Sequence, residues 1–174
     1  MNPWWIVAGI AAGAVALAKL FKSEQKPADA AQPLTQPRAF ISFDYDHNLG
    51  EKNLFAGQLS KRSPTPFSAQ DWSSKEPLPQ KQWEELIHEK IGRCHVMFVL
   101  VSPTCHVAKG VEKEIAMALA QSVPFVGVYV AGADERTALP KGLARDRVYV
   151  WRWELLSQSI ERMLNEGKNA KRTR

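Results

Sequence analysis

Four short stretches hold most of the side chains in this chain that could bind a polar ligand or move a proton. The first is Asp44-Tyr45-Asp46-His47 and the second Asp71-Trp72-Ser73-Ser74. The third runs through Ser102, Thr104, Cys105 and His106, and Glu112 and Glu114 follow closely after it. Carboxylates, hydroxyls and imidazoles are the usual groups for acid–base work and for steadying developing charge. Other chemistries are excluded. The chain has no GxxxxGK[ST] and no GxGxxG, so no Gly-rich loop cradles a phosphate. It has no G-x-S-x-G nucleophile elbow. Cys94 and Cys105 form no CxxC pair and no Cys/His cluster of metal-ligand spacing, so no metal is expected. Taken singly, the polar residues have ordinary roles. Asp71 and Ser73 suit a turn or a helix cap, and Glu112 suits a helix start. Glu114 directly precedes Ile115, which leaves its side of the helix undecided.

The elements that must position these groups follow from the hydrophobic pattern. His95–Val101 (HVMFVLV) and Pro124–Val130 (PFVGVYV) are short, continuous apolar runs, the mark of strands buried on both faces. Arg38–Tyr45, Pro66–Trp72 and Arg147–Trp151 read as three further strands. Between them lie helical spacings. Leu54, Phe55 and Leu59 recur in Glu51–Arg62, and Trp83, Leu86, Ile87, Lys90 and Ile91 share a face of Gln80–Cys94. Val111–Gln121 carries Ile115, Ala118 and Leu119, and Leu155–Asn165 is a final amphipathic helix. The order βαβαβαβ, a loop, then βα predicts an α/β fold, a flavodoxin-like parallel sheet with helices on both faces. Such sheets place their sites at the carboxyl ends of the strands. Here those are the loops after Tyr45, Asp71, Val101 and Val130.

The succession FISFDY, then DWSS, then HVMFVLVSP, then KGVEKEIAMAL resembles a TIR domain. More narrowly it resembles the TIR-like ThsB branch of bacterial Thoeris anti-phage systems, over about Arg38 to Trp151. The resemblance implies that Glu114, in Glu112-Lys113-Glu114-Ile115, falls on the catalytic glutamate of NAD-cleaving relatives. It further implies that Phe43, Asp44 and Tyr45 border the pocket, that Asp71, Trp72 and Ser73 belong to a mobile loop, and that Ser102 lies at the floor. Breaking the nicotinamide–ribose bond develops oxocarbenium character, which a nearby carboxylate can stabilise. NAD would be a substrate and not a resident cofactor. Gly110 stands where many of these domains carry a tryptophan, so an aromatic wall would come from elsewhere, such as Trp72 or Trp83. Two functions are implied. One is cleavage or cyclisation of NAD to a nucleotide signal, read by a nucleotide-sensing effector. The other is a non-catalytic signalling scaffold that works as a homo-oligomer.

The rest of the 174-residue chain sets the context. Trp4–Phe21 (WWIVAGIAAGAVALAKLF) carries no charge before Lys19 and is about 27 Å long as a helix, close to a hydrocarbon core of about 30 Å. Trp4 and Trp5 suit one interface, and Lys19 and Lys22 the other. It is read as a transmembrane anchor in preference to a cleaved signal peptide or a buried core helix. The lysines that follow would put the C-terminal domain in the cytoplasm of a single-pass protein at the cell membrane. Residues 22–37 (KSEQKPADAAQPLTQP) are too poor in large apolar groups to fold and read as a flexible linker. The TIR-like domain then spans 38–166 and a basic tail 167–174. The net charge of +5 is concentrated in that tail, at Lys168, Lys171, Arg172 and Arg174. No basic patch interleaved with aromatics appears elsewhere, so nucleic acid is not an expected partner. Both cysteines read as reduced thiols.

Overall fold

The computed structural model describes residues 36–69 and 79–170. The elements are β1 (Arg38–Ser42), α1 (Leu49–Lys61), β2 (Ser68–Ala69), α2 (Gln80–Arg93), β3 (Val96–Val101), α3 (Lys109–Ala120), β4 (Phe125–Tyr129), β5 (Val148–Val150) and α4 (Trp153–Met163). Short 3₁₀ turns occur at Cys105–Val107, Arg145–Arg147 and Gly167–Asn169. All strand pairings are parallel, in the order β2-β1-β3-β4-β5. The chain therefore reverses its direction of travel across the sheet between β1 and β3. A crevice opens there at the carboxyl ends, where doubly wound sheets take their ligands.

Every residue of β3 is buried, which explains why its sequence runs apolar without alternation. Side chains still alternate between faces. Met97, Val99 and Val101 join Ile87 and Ile91 of α2 and Val111, Ile115 and Ala118 of α3. Phe98 and Leu100 join Phe55 and Leu59 of α1 and Leu156, Ile160 and Met163 of α4. Phe98 is the hub of the second face, with edge contacts to Phe55 at 5.2 Å and Phe67 at 6.0 Å between centroids. Two helices thus seal each face, and polar groups are left to the strand ends.

Several boundaries move from the sequence expectation. β1 stops at Ser42 because the Asp44 carbonyl accepts from the amides of His47 (3.3 Å) and Asn48 (2.8 Å), a turn that leads into α1. β2 is only two residues long among the described ones and pairs only with β1. Leu54 was grouped with Phe55 and Leu59, yet it faces outward from α1. Gly167–Asn169 is bonded to the body of the domain through Lys168 and Asn169, whereas Lys171, Arg172 and Arg174 lie outside the described residues.

The single-pass membrane reading is corrected here. Among the described residues no helix is long and apolar enough to cross a membrane. The segment assigned to the span, 4–21, lies outside the described residues. The sequence case rested on length and absence of charge, while eight of its eighteen residues are Ala or Gly, which add little to the transfer free energy that Leu, Ile, Val and Phe supply. The fold class is accordingly an α/β parallel sheet with flanking helices, with no transmembrane helix among the described residues. The membrane is withdrawn as a partner, and the single-pass membrane localisation with it.

Candidate functional site

The carboxyl ends of β1 and β3 and the start of α3 assemble a polar cluster against an apolar sheet. Ser42 is the only polar side chain in the last four residues of β1, and it is fully buried. Its hydroxyl donates to Oε2 of Glu114 at 2.5 Å. This contact settles the side of α3 on which Glu114 lies: toward the strand ends, one position from the core-facing Ile115. Glu114 is partly buried. Burial raises its carboxyl from the ordinary 4.5 to about 8, against a smaller opposing pull from the Ser42 hydrogen bond. At neutral pH the group is therefore predominantly a neutral acid.

Asp44 is in the opposite state. It is buried, which by itself would raise its pKa. Hydrogen bonds from Thr104 and His47, the charge of His47 and the Asp46 amide outweigh burial and hold the carboxyl below its usual range. Thr104 Oγ1 donates to Asp44 Oδ2 at 2.8 Å, and His47 Nδ1 lies 2.8 Å from the same oxygen. The Thr104 proton is committed to Asp44, so Ser102 Oγ, 3.3 Å from Thr104 Oγ1, is the donor of that pair. Ser102 is buried.

Phe43 and Tyr45 flank this network. Their rings are 6.0 Å apart and tilted by 42°, and the Lys52 ammonium lies 5.9 Å from the centre of the Phe43 ring. Tyr45 is exposed. The structure thus links Asp44 to Ser102 through Thr104, Glu114 to β1 through Ser42, and Phe43 to Tyr45. Asp71, Trp72 and Ser73 lie outside the described residues. His47 and Thr104 stand among the polar loop residues named from sequence, whereas Ser42 does not. A signal for it was available: a lone serine ending an apolar strand.

Gly110 has open space around the position a side chain would occupy. Trp83 packs against the core cluster beneath α2 and α3 and is a packing residue. A separate open groove of about 450 Å³ lies at the carboxyl ends of β4 and β5, lined by Tyr129, Ala133, Asp134, Glu135, Arg136, Val150 and Trp151. It shares no residue with the Glu114 cluster. Among the described residues no group of three or more His, Cys, Asp or Glu side chains could hold a metal.

A parallel five-stranded sheet of order 2-1-3-4-5, with a polar cluster at its switch point, defines the doubly wound class. Within that class, the family model described as "Thoeris protein ThsB, TIR-like domain" matches residues 40–135, more than half of the chain. The chain belongs to the ThsB TIR-like family. No curated protein matches it. Among solved structures, a crystal structure of a prokaryotic SEFIR domain aligns with a TM-score of 0.48 at 17% identity, covering 80% of this chain and 99% of that one.

These findings correct the order of the two functions. Membrane-anchored NAD cleavage was placed first, and a signalling module second. The family match supports a TIR-like signalling domain, and the membrane part has no described helix to carry it.

Proposed function

We propose that the domain is a TIR-like signalling module that acts by self-association, with a carboxyl-edge site suited to a nucleotide of the NAD class. The observation that carries this reading is the neutral carboxyl of Glu114 bonded to Ser42, next to a buried Asp44 whose carboxylate is already satisfied. A cluster that satisfies itself is a stable platform, and a neutral acid pairs well with hydroxyl groups such as those of a ribose. In this reading Glu114 faces the ribose. Phe43, Asp44, Tyr45 and Ser102 surround it, and Asp71, Trp72 and Ser73 belong to the loop after the second strand. Tyr45, Leu49 and Leu54 are 58%, 43% and 57% exposed and give the β1–α1 region apolar surface for a second copy of the chain.

Sedimentation velocity on the whole chain, over a range of concentrations and with or without NAD, tests the proposal. The expected result is concentration-dependent association that NAD alters and Leu54→Asp weakens. A single monomeric species under every condition would overturn self-association. Steady NAD consumption that Glu114→Gln abolishes would replace the scaffold reading with catalysis.

A further inference from the structure

The opposite, amino-terminal edge of the sheet carries a second cluster that the site above does not use. β1 begins there with Arg38, and β3 is entered through Cys94 and His95. The Arg38 amide donates to His95 Nδ1 at 3.0 Å, and the His95 amide donates to the Arg38 carbonyl at 2.8 Å. Since Nδ1 accepts, the neutral ring carries its proton on Nε2.

The Gly167–Asn169 turn is fastened to the same place. Lys168 Nζ donates to the Gly92 carbonyl at 2.5 Å, and Asn169 Nδ2 donates to the His95 carbonyl at 2.7 Å. The Lys168 amide is anchored on the Ser122 carbonyl at 2.8 Å. Gly167 makes this possible. Its φ is +57°, and a Cβ there would stand 2.4 Å from the Ser122 oxygen.

Arg38 and Lys168 are close enough to act on each other and on both Cys94 and His95. Burial first, and then these two cations, lower the pKa of His95. Burial raises the Cys94 thiol to about 11, the two cations opposing it. Both groups are therefore neutral at pH 7. No carboxylate among the described residues forms an ion pair with Arg38 or Lys168. Arg38 Nε is buried without a hydrogen-bond partner. A buried guanidinium donor left unmatched beside a second cation is unfavourable unless a counter-charge arrives. Phosphoryl oxygens match both the planar fork of an arginine and the point charge of a lysine.

We infer that this edge binds a phosphoryl group between the Arg38 guanidinium and the Lys168 ammonium, beside His95. The group belongs to free phosphate or to a nucleotide, and the test separates the two.

The whole chain is titrated with inorganic phosphate, and in parallel with adenosine monophosphate, at ionic strength held constant with sodium chloride. The His95 ring and Arg38 Nε–H resonances are followed by NMR. Saturable movement of both resonances with phosphate is expected, together with a higher His95 titration midpoint in the bound state. Lys168→Met should weaken binding by about tenfold or more, the scale of one charged hydrogen bond. Lys168→Arg should retain binding, and this second variant separates loss of charge from loss of the turn. Tighter binding of adenosine monophosphate than of phosphate, read at His95, assigns the group to a nucleotide; equal binding assigns it to free phosphate. No saturable movement beyond the chloride control, or equal affinity in Lys168→Met, overturns the inference.

Discussion

Replacing Glu114 with glutamine should make the protein relatively more stable as the pH rises. The native carboxyl is held near 8 by burial, while the unfolded chain ionises near the ordinary 4.5. A raised native pKa means that the folded state holds its proton longer. The stabilisation from that proton is complete below about 4.5, and it is lost as the pH climbs through about 8. At about 1.4 kcal/mol per pKa unit the full displacement sets a ceiling of roughly 5 kcal/mol. Glu114 keeps some exposed surface, and solvent screening reduces the expected effect to about 1–3 kcal/mol. Glutamine cannot ionise, and its amide oxygen can still accept from Ser42. Urea unfolding of both proteins at pH 4.5, 6, 7.5 and 9 measures the difference. The stability of Glu114→Gln minus that of the wild type should grow steadily in favour of the variant across this range. Parallel curves would refute the buried neutral acid. A wild type that gains on the variant with rising pH would show a natively ionised, paired carboxylate instead.

Asp44→Asn should behave with the opposite sign. The lowered native pKa stabilises the wild type above the ordinary 3.8 and is lost as the pH falls through the native value, so the variant costs about 1–3 kcal/mol at pH 7 and little in strong acid, by the same unfolding assay. Phe98→Ala empties the ring site between Phe55 and Phe67 and should cost about 3–5 kcal/mol in urea, with an unchanged denaturant slope. Gly167→Ala forces a Cβ against the Ser122 carbonyl at a left-handed position. It should cost about 1–3 kcal/mol and increase amide exchange at Lys168 and Asn169 relative to the sheet.

The elements that could be read from sequence are those whose pattern is local. β3 and β4 stand out because both faces of each are covered, so nothing polar interrupts them. α2 stands out because Ile87 and Ile91 recur at one turn beneath Trp83. α1 misleads at Leu54, since the same three-residue cluster contains both a core leucine, Leu59, and an outward one. α4 starts at Trp153, two residues before its apolar periodicity suggests; the Trp153 indole donates to Gln58 of α1 at 3.0 Å, a contact across the fold that no local spacing encodes. The site divides in the same way. Asp44 and His47 sit three apart, and their contact could be anticipated from a turn. The Ser42–Glu114 contact joins residues 72 positions apart and depends on the placing of α3 against the β1 end.

That long-range contact also bears on what a TIR-like site in this chain can do. Exchanging the Ser42 hydroxyl for a ligand hydroxyl at Glu114 leaves the fully buried Ser42 hydroxyl without that partner, at a cost of about 1–3 kcal/mol. A micromolar complex, worth roughly 8 kcal/mol, can absorb that cost. Ionising Glu114 is harder, because the environment that raises its pKa is the sheet edge and α3 themselves. Only a change that brings positive charge or water to Glu114 converts it from a hydroxyl partner into a counter-charge.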